Sequence, residues 1–326
     1  MNDNHSRSLV IGIDAGGTRT RAYLAEAAPD GAVLGEGVGG PANALSTGQA
    51  EVIRHLSAAI EAAVPPEHRS AVRAVAGGFA GASRDAGRRL AESCLRAALG
   101  GAGIAAEDVA VYGDIEIAFA AAPGAPTDGL VLIAGTGAVA ARIENRRRAA
   151  LADGDGWLLG DAGSGFWLGR EVIRAALRAL DGRGPWTSLV ERVAAHYLPS
   201  QGGPYLARER PGQGERERLR ALIVPAAYAE PPVRLARLSP LAVAAEEAGD
   251  EVAMALLDDA ADELGATVAA LDLHDDEPLV ATGGLLGPAG PLLGRVTARA
   301  EEMGLQVVPV RDGGMGAVAL ARLLSG

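Results

Sequence analysis

The stretch LVIGIDAGGTRTRAYLAEA, from Leu9 to Ala27, joins an apolar segment, a turn with two glycines and a second strand-like segment without interruption. Its first half predicts a buried β-strand that ends near Asp14, and the segment from Thr18 onward predicts the strand that returns beside it. A third strand is expected in AVLGEGVG, after the turn residues Pro29-Asp30-Gly31. The chain therefore opens with a strand meander and a carboxylate beside a glycine turn.

A similar strand, glycine turn and strand recur in LVLIAGTGAVAARI, from Leu130 to Ile143. The repeat suggests duplicated domains, although glycine-rich hairpins also recur by chance in a chain with 45 glycines. Apolar spacing and turn residues predict the other elements: helices over 47–64, 84–99, 165–180, 186–197, 240–271 and 313–324, one more ending near 303, and strands over 73–79, 109–114, 278–284 and 306–310. The predicted fold class is α/β.

Two charged stretches have no assigned element. The segment SQGGPYLARERP and the run GERERLR that follows it are expected to form a solvated connection. The run Arg146-Arg147-Arg148 lies where the second hairpin turns back, and we interpret it as a solvated turn rather than an anion site.

Length and composition limit the class of protein. With 326 residues the chain is long enough for two domains with separate cores, and no apolar stretch reaches the ~20 residues of a membrane helix. The first residues lack an apolar signal core, and Cys94 is the single cysteine, so we expect a cytoplasmic protein. The net charge of −11 argues against nucleic acid and anionic membranes as partners.

The basic residues are all arginine, and the absence of lysine excludes several chemistries. The P-loop and the protein-kinase fold each place a lysine on the nucleotide, and pyridoxal or aldolase chemistry needs a lysine amine. The five histidines have no paired spacing, which argues against a zinc site. If the protein handles phosphate, backbone amides, hydroxyls, arginines and a metal ion must bind it.

Three glycine turns that follow apolar strands are candidates for phosphate binding. In the first, Gly16 and Gly17 would let backbone N–H groups approach a phosphate, the Thr18 hydroxyl can donate to it, and Asp14 can hold Mg²⁺ through water. The alternative is a hairpin turn in which Asp14 only caps its own backbone. The second turn, at 135–137, has no carboxylate, and the third, at 282–284, ends a strand and precedes a helix.

Five motifs in order identify a family: DAGGT at 14–18, VYGD at 111–114, AGTG at 134–137, GDGWLLGDAGSGFWLG at 154–169 and ATGG at 281–284. Together they resemble the N-acetylglucosamine kinase and BadF/BadG/BcrA/BcrD ATPase family, a branch of the sugar kinase, Hsp70 and actin superfamily. The resemblance covers the chain from about Leu9 to Leu324. It implies two RNase H-like, actin-like ATPase domains, with ATP and Mg²⁺ in the cleft between them and a sugar deeper on the same side. We expect these domains at 1–115 and 116–326, with the last helix packing back on the first.

The resemblance also implies roles for residues. Asp14 is expected to organise the metal ion, and Asp114 to act as the base that accepts the proton of the attacking sugar hydroxyl. Asn43 and Asp161 match positions that bind sugar hydroxyls. The nucleotide-binding positions are Gly16, Gly17 and Thr18 in the first loop, Gly135, Thr136 and Gly137 in the second, and Gly283 and Gly284 at the adenosine pocket.

Alternatives remain open for the residues near the sugar. Asp114 could instead cap the helix that begins IEIAFAAA, Asn43 could be a turn residue, and Glu116 is expected to point away from Asp114. Family members usually have Glu where this chain has Ala162, and Asn is frequent where it has Gly113. Both differences lie beside the sugar, so they put the sugar in doubt more than the nucleotide.

The leading functional hypothesis is an ATP-dependent kinase that phosphorylates N-acetylglucosamine, glucosamine or a related amino sugar at the 6-hydroxyl, as a homodimer. One alternative is an ATPase activator of acyl-CoA dehydratases, which would need two cysteines per subunit for its iron–sulfur cluster. Cys94 lies among Leu90, Leu95 and Ala98, which is typical of a buried structural thiol. The other alternative is a non-catalytic sugar-binding regulator.

Overall fold

A computed structural model describes residues 8–43, 47–82, 85–198 and 211–326. The chain divides into two compact units. Unit 1 contains Met1–Val131, Arg142–Ala150 and Val308–Gly326, and unit 2 contains Leu132–Ala141 and Leu151–Val307. The domain boundary between residues 115 and 116 stays a prediction.

The first sheet belongs to unit 1 and has five strands: β1 (Leu9–Ala15), β2 (Thr20–Glu26), β3 (Val33–Gly39), β4 (Val72–Phe79) and β5 (Asp108–Gly113). Their order is β3-β2-β1-β4-β5. The meander β1-β2-β3 is antiparallel, whereas β4 runs parallel to both β1 and β5. The predicted meander therefore forms one half of a mixed sheet.

Alternation along β1 assigns its side chains to two cores. Leu9, Ile11 and Ile13 are buried with residues of α1 (Gln49–Ala63) and α2 (Asp85–Gly101). Val10, on the opposite face, is buried with residues of α3 (Asp114–Ala120) and α10 (Gly314–Leu324). Because helices cover both faces of β1, its side chains are apolar and buried up to Asp14, which lies at the end of the strand.

The second sheet contains β6 (Gly129–Ala134), β7 (Ala138–Glu144), β8 (Arg147–Asp153), β9 (Pro278–Thr282) and β10 (Gln306–Pro309). Its order, read as β8-β7-β6-β9-β10, repeats the order of the first sheet strand for strand. Two sheets of the same topology are what a repeated strand-turn-strand pattern predicts. The α/β class with two related sheets is confirmed.

The remaining helices are α4 (Gly165–Asp181), α5 (Leu189–Tyr197), α6 (Gln213–Tyr228), α7 (Ser239–Glu246), α8 (Glu251–Ala269) and α9 (Leu293–Glu302). The helix predicted over 240–271 is two helices, α7 and α8. Gly249 has a left-handed φ of 84°, and the Asp250 carboxylate caps α8 by accepting the N–H of Ala253 at 3.0 Å. These two residues end one helix and begin the next.

Two interpretations of charged segments are wrong. GERERLR is not a connection but part of α6, in which Leu219 and Ile223 are buried while Glu and Arg, which are good helix formers, face outward. Arg147 and Arg148 begin strand β8, so only Arg146, with φ of 59°, lies in a turn. Ser200 to Arg210 lie outside the described residues. Across the described ranges, no helix is long and apolar enough to cross a bilayer.

Candidate active site

The first glycine turn, between β1 and β2, is open on its outer side. The N–H of Gly16 donates to the carbonyl of Arg19 at 3.0 Å, and its carbonyl accepts the N–H of Ala42 at 3.0 Å. Gly17 and Thr18 are exposed, and a Cβ added to Gly17 would meet no atom within 4 Å. Packing within the protein therefore does not require glycine at position 17, whereas close approach of a ligand would.

Asp14 is half-buried at the end of β1, opposite Arg21 on β2. Burial raises the pKa of its carboxyl to about 6, and the negative charges of Asp312 and Asp114 add to this effect, while Arg21 and Arg19 oppose it. Asp312 is ion-paired with Arg21 at 2.5 Å. Asp14, Asp312 and Asp114 thus share one region of negative potential within unit 1.

This region fits a magnesium ion held mainly by water and phosphate oxygens. Within the described part of the chain, no group of three or more His, Cys, Asp or Glu side chains is arranged to hold a metal ion. Mg²⁺ in phosphoryl-transfer sites usually has one or two carboxylate ligands, with waters and substrate phosphates as the others. Asp14 has the oxygen chemistry for one such ligand, and a cation there would relieve the repulsion among the carboxylates.

Asp114 is the first residue of α3, and Gly113, not Asp114, occupies the cap position. Its Oδ1 accepts the N–H of Ile115 at 3.0 Å. The residue is exposed to solvent, while the protein atoms around its carboxyl raise the pKa of that group. The hydrogen bond from Ile115 and the charge of Arg148 act in the opposite direction. Asp114 also lines a cavity of about 40 Å³, together with Arg88, Gly113, Ile115, Glu116 and Arg148.

Glu116 does not simply point away along the helix. It is 3% exposed, and its Oε2 accepts the N–H of Gly113 at 2.8 Å, the residue before Asp114. The same carboxylate bonds Arg147 and the backbone of Arg148. A carboxylate inside the apolar run IEIAFA, three residues after a glycine cap, was the sequence signal for this contact.

Asn43 lies near the first glycine turn of unit 1. The preceding residue, Ala42, is bonded to Gly16, and the Asn43 carbonyl accepts the N–H of Thr47 at 3.1 Å. Residues 44–46 lie outside the described part. The structure thus brings Asn43 to the turn that carries Gly16 and Gly17.

The second and third glycine turns lie side by side in unit 2. Gly283 has φ of 97°, and a Cβ there would lie 2.3 Å from the carbonyl oxygen of Ala134. The N–H of Leu285 donates to that same carbonyl at 3.0 Å. The carbonyls of Gly135 and Thr136 accept the N–H groups of Gly165 and Phe166, at 2.8 and 3.0 Å. Gly135–Gly137, Gly283 and Gly284 therefore form one glycine-rich surface beside the start of α4.

Asp161 adjoins the second turn. Its Oδ1 accepts the N–H of Ala138 at 3.1 Å, and a Cβ on Gly137 would lie 2.7 Å from the same oxygen. Burial raises the pKa of the Asp161 carboxyl; the bond from Ala138 opposes this, and the charges of Asp153 and Asp155 add to it. Close approach to Asp161 thus explains glycine at position 137 without a ligand.

Asp153, which sequence reasoning missed, fixes the loop that carries Asp161. Its carboxylate accepts the N–H groups of Gly154, Asp161 and Ala162 at 2.7, 2.7 and 2.8 Å. Asp153 and Asp161 both have left-handed φ, near 60°. Asp312 was also missed, because its partner Arg21 is 291 positions away in sequence. The Asp-Gly-Gly at 312–314, where α10 begins, was the local signal.

Comparison with known proteins identifies the family. Residues 11–321 match the BadF/BadG/BcrA/BcrD ATPase family, and the chain belongs to this family. The family predicted from the five motifs is confirmed.

Among its relatives is the N-acetyl-D-glucosamine kinase of Dictyostelium discoideum, 27% identical over 88% of each chain. The N-acetylmuramic acid/N-acetylglucosamine kinase of Clostridium acetobutylicum is 35% identical over 55% of this chain and 57% of its own length. A crystal structure from Chromobacterium violaceum, of a protein provisionally named an N-acetylglucosamine kinase, has a TM-score of 0.64 and 25% identity. That alignment covers 98% of this chain and 100% of that one.

Proposed function

We propose that this protein is an ATP-dependent kinase that transfers the γ-phosphoryl group to the 6-hydroxyl of an amino sugar such as N-acetylglucosamine. The observation that carries the proposal is the position of Asp114. Asp114 is the first residue of α3 and is exposed to solvent. Its carboxylate lies near enough to that of Asp14 for their charges to interact. The names of the two curated relatives support the substrate class.

The chemistry assigned to Asp114 is proton transfer. As the sugar oxygen bonds to the γ-phosphorus, the bond from that phosphorus to the ADP oxygen breaks, and the hydroxyl proton moves to the Asp114 carboxylate. Phosphoryl transfer depends mostly on positioning and charge neutralisation, so orienting the hydroxyl is the larger contribution. The raised pKa makes this carboxylate a stronger base than an ordinary aspartate.

The nucleotide is assigned to glycine turns. The backbone N–H of Gly17 and the hydroxyl of Thr18 would donate to phosphate oxygens beside Gly16, whose own N–H is bonded to Arg19, and the glycine surface at 135–137 and 283–284 would contact the rest of the nucleotide. Mg²⁺, when bound, would neutralise part of the phosphate charge. Asp14 would hold that ion through water.

The sugar is assigned to Asn43, Asp114 and Asp161. An amide and two carboxylates can donate to and accept from neighbouring hydroxyls, which gives specificity for a polyol. Because Asp161 Oδ1 already accepts the N–H of Ala138, Oδ2 is the oxygen assigned to the sugar. A cytoplasmic location and a homodimer remain predictions.

The ATPase-activator alternative lacks support in the described residues. Cys94, the single cysteine, is 1% exposed inside the core between the first sheet and α2. An iron–sulfur cluster needs cysteine thiolates that can reach the iron.

The test is a turnover assay with ATP, Mg²⁺ and a panel of neutral, amino and acidic hexoses. We expect ADP formation that depends on an amino sugar, and a loss of about 10²-fold or more in kcat for Asp114→Asn. The control is Asp108→Asn, at the exposed opposite end of β5. Sugar binding without turnover would support the non-catalytic regulator, and full activity in Asp114→Asn would contradict the assigned base.

A further inference from the structure

Glu116 is a buried carboxylate for which the proposed chemistry gives no role. Its carboxylate accepts hydrogen bonds from the backbone N–H groups of Gly113 and Arg148. It is also ion-paired with the guanidinium groups of Arg147 at 3.2 Å and Arg88 at 3.6 Å. Burying an ionised carboxylate is unfavourable unless such partners surround it. Because both carboxylate oxygens have such partners, the Glu116 side chain is held in one position.

These contacts hold the segment that carries Asp114. Gly113 is its neighbour in sequence, and the N–H of Gly113 donates directly to Glu116. Arg147 donates to Glu116 and also to the carbonyl of Val111 at 3.0 Å, and its guanidinium lies over the Tyr112 ring at 4.1 Å from the centroid. Arg147 of β8 thus contacts β5, which precedes the turn, and α3, which follows it.

Charge gives Glu116 a second effect on Asp114. The cavity beside Asp114 is also lined by Arg88, whose guanidinium pairs with Glu116 at 3.6 Å, and its two carboxylates are Asp114 and Glu116. A neutral residue at position 116 would leave Asp114 as the remaining carboxylate there for the Arg88 guanidinium. An arginine–carboxylate pair holds both side chains in one geometry, which would take Asp114 away from a sugar hydroxyl.

We propose that Glu116 is a positioning residue that keeps Asp114 directed at the acceptor hydroxyl, by anchoring Gly113 and by pairing with the guanidinium groups of Arg88 and Arg147. The inference rests on the proposed function, since it gives Asp114 a hydroxyl to face. Its contribution belongs mainly to the chemical step, because Asn43 and Asp161 are also assigned to binding of the sugar.

The test compares Glu116→Gln with Glu107→Gln, an exposed glutamate that pairs with Arg73 at the surface. Glutamine keeps the shape but loses the charge and one acceptor oxygen. We expect kcat to fall by about tenfold or more in Glu116→Gln, with KM for ATP and for sugar within about threefold, because orientation of the base acts mainly on the transition state. Adding Arg88→Gln should restore part of kcat, since it removes the guanidinium that can capture Asp114 once Glu116 is neutral.

Hydrogen exchange gives a readout that does not depend on turnover. The amides of 113–115 should exchange faster in Glu116→Gln, while α1 and α2 keep their protection. Wild-type protein without sugar kinase activity would overturn the proposed function. Active wild-type protein with an unchanged kcat in Glu116→Gln would overturn the positioning role alone.

Should Glu116→Gln fail to fold, Arg147→Met replaces it. Its side chain is 41% exposed, so the change is tolerable, and the loss of its bonds to Glu116 and Val111 should lower kcat several-fold with KM unchanged. An unchanged kcat would contradict the proposal.

Discussion

At the scale of single residues, the partly buried carboxylate of Asp14 lowers the stability of the folded protein at neutral pH. Its carboxyl pKa rises from 3.8 to about 6 on folding, so the folded state holds its proton more tightly. Stability from this group is therefore highest at low pH and falls as pH rises through about 4 to 6. This difference in pKa between the unfolded and folded states corresponds to a loss of up to about 3 kcal/mol in the free energy of unfolding at pH 7.

Replacing Asp14 by Asn should therefore stabilise the protein while removing its activity. We expect the free energy of unfolding at pH 7 to rise by about 1–3 kcal/mol, with the gain disappearing near pH 4. Urea titrations at several pH values measure this, with Asp30→Asn, in an exposed turn, as control. A loss of stability at pH 7 would contradict the electrostatic account of Asp14.

At the scale of elements, α10 packs closely against β1 of the first sheet at Gly12. A Cβ on Gly12 of β1 would lie 2.4 Å from the backbone nitrogen of Val318 on α10. We expect Gly12→Ala to destabilise the protein by about 2 kcal/mol or more, because strand and helix must separate. Gly100→Ala, in α2 with no atom within 4 Å of its Cβ, should instead stabilise by about 0.5–1 kcal/mol. Equal effects in denaturant melts would contradict the packing.

Local signals predicted most of these elements. The alternation in β1 and the helix periodicity of α1 were readable, because each follows from neighbours a few positions away. The division between α7 and α8 was missed because Gly249 and Asp250 interrupt an apolar pattern that continues on both sides. Strand β8 was missed because its arginines looked like a solvated turn, whereas Glu116, distant in sequence, binds them.

At the scale of the whole molecule, the family could be predicted from five short motifs spread over the chain. The motifs lie at fixed positions of the family pattern, so Asp14, Asp114 and the glycine turns could be predicted as site residues from sequence. Asp312, Asp153 and Glu116 act through partners rather than ligands, and their roles depend on which distant segments fold together. Sequence order alone does not give those pairings.

The central claim is that the phosphoryl group goes to a sugar and not to water. ³¹P NMR of a reaction with ATP, Mg²⁺ and N-acetylglucosamine tests it most directly, since it distinguishes a sugar phosphate monoester from inorganic phosphate. We expect ADP and a sugar 6-phosphate in equal amounts, both absent from the Asp114→Asn reaction. ADP with inorganic phosphate alone, at a rate unaffected by any sugar, would contradict the account.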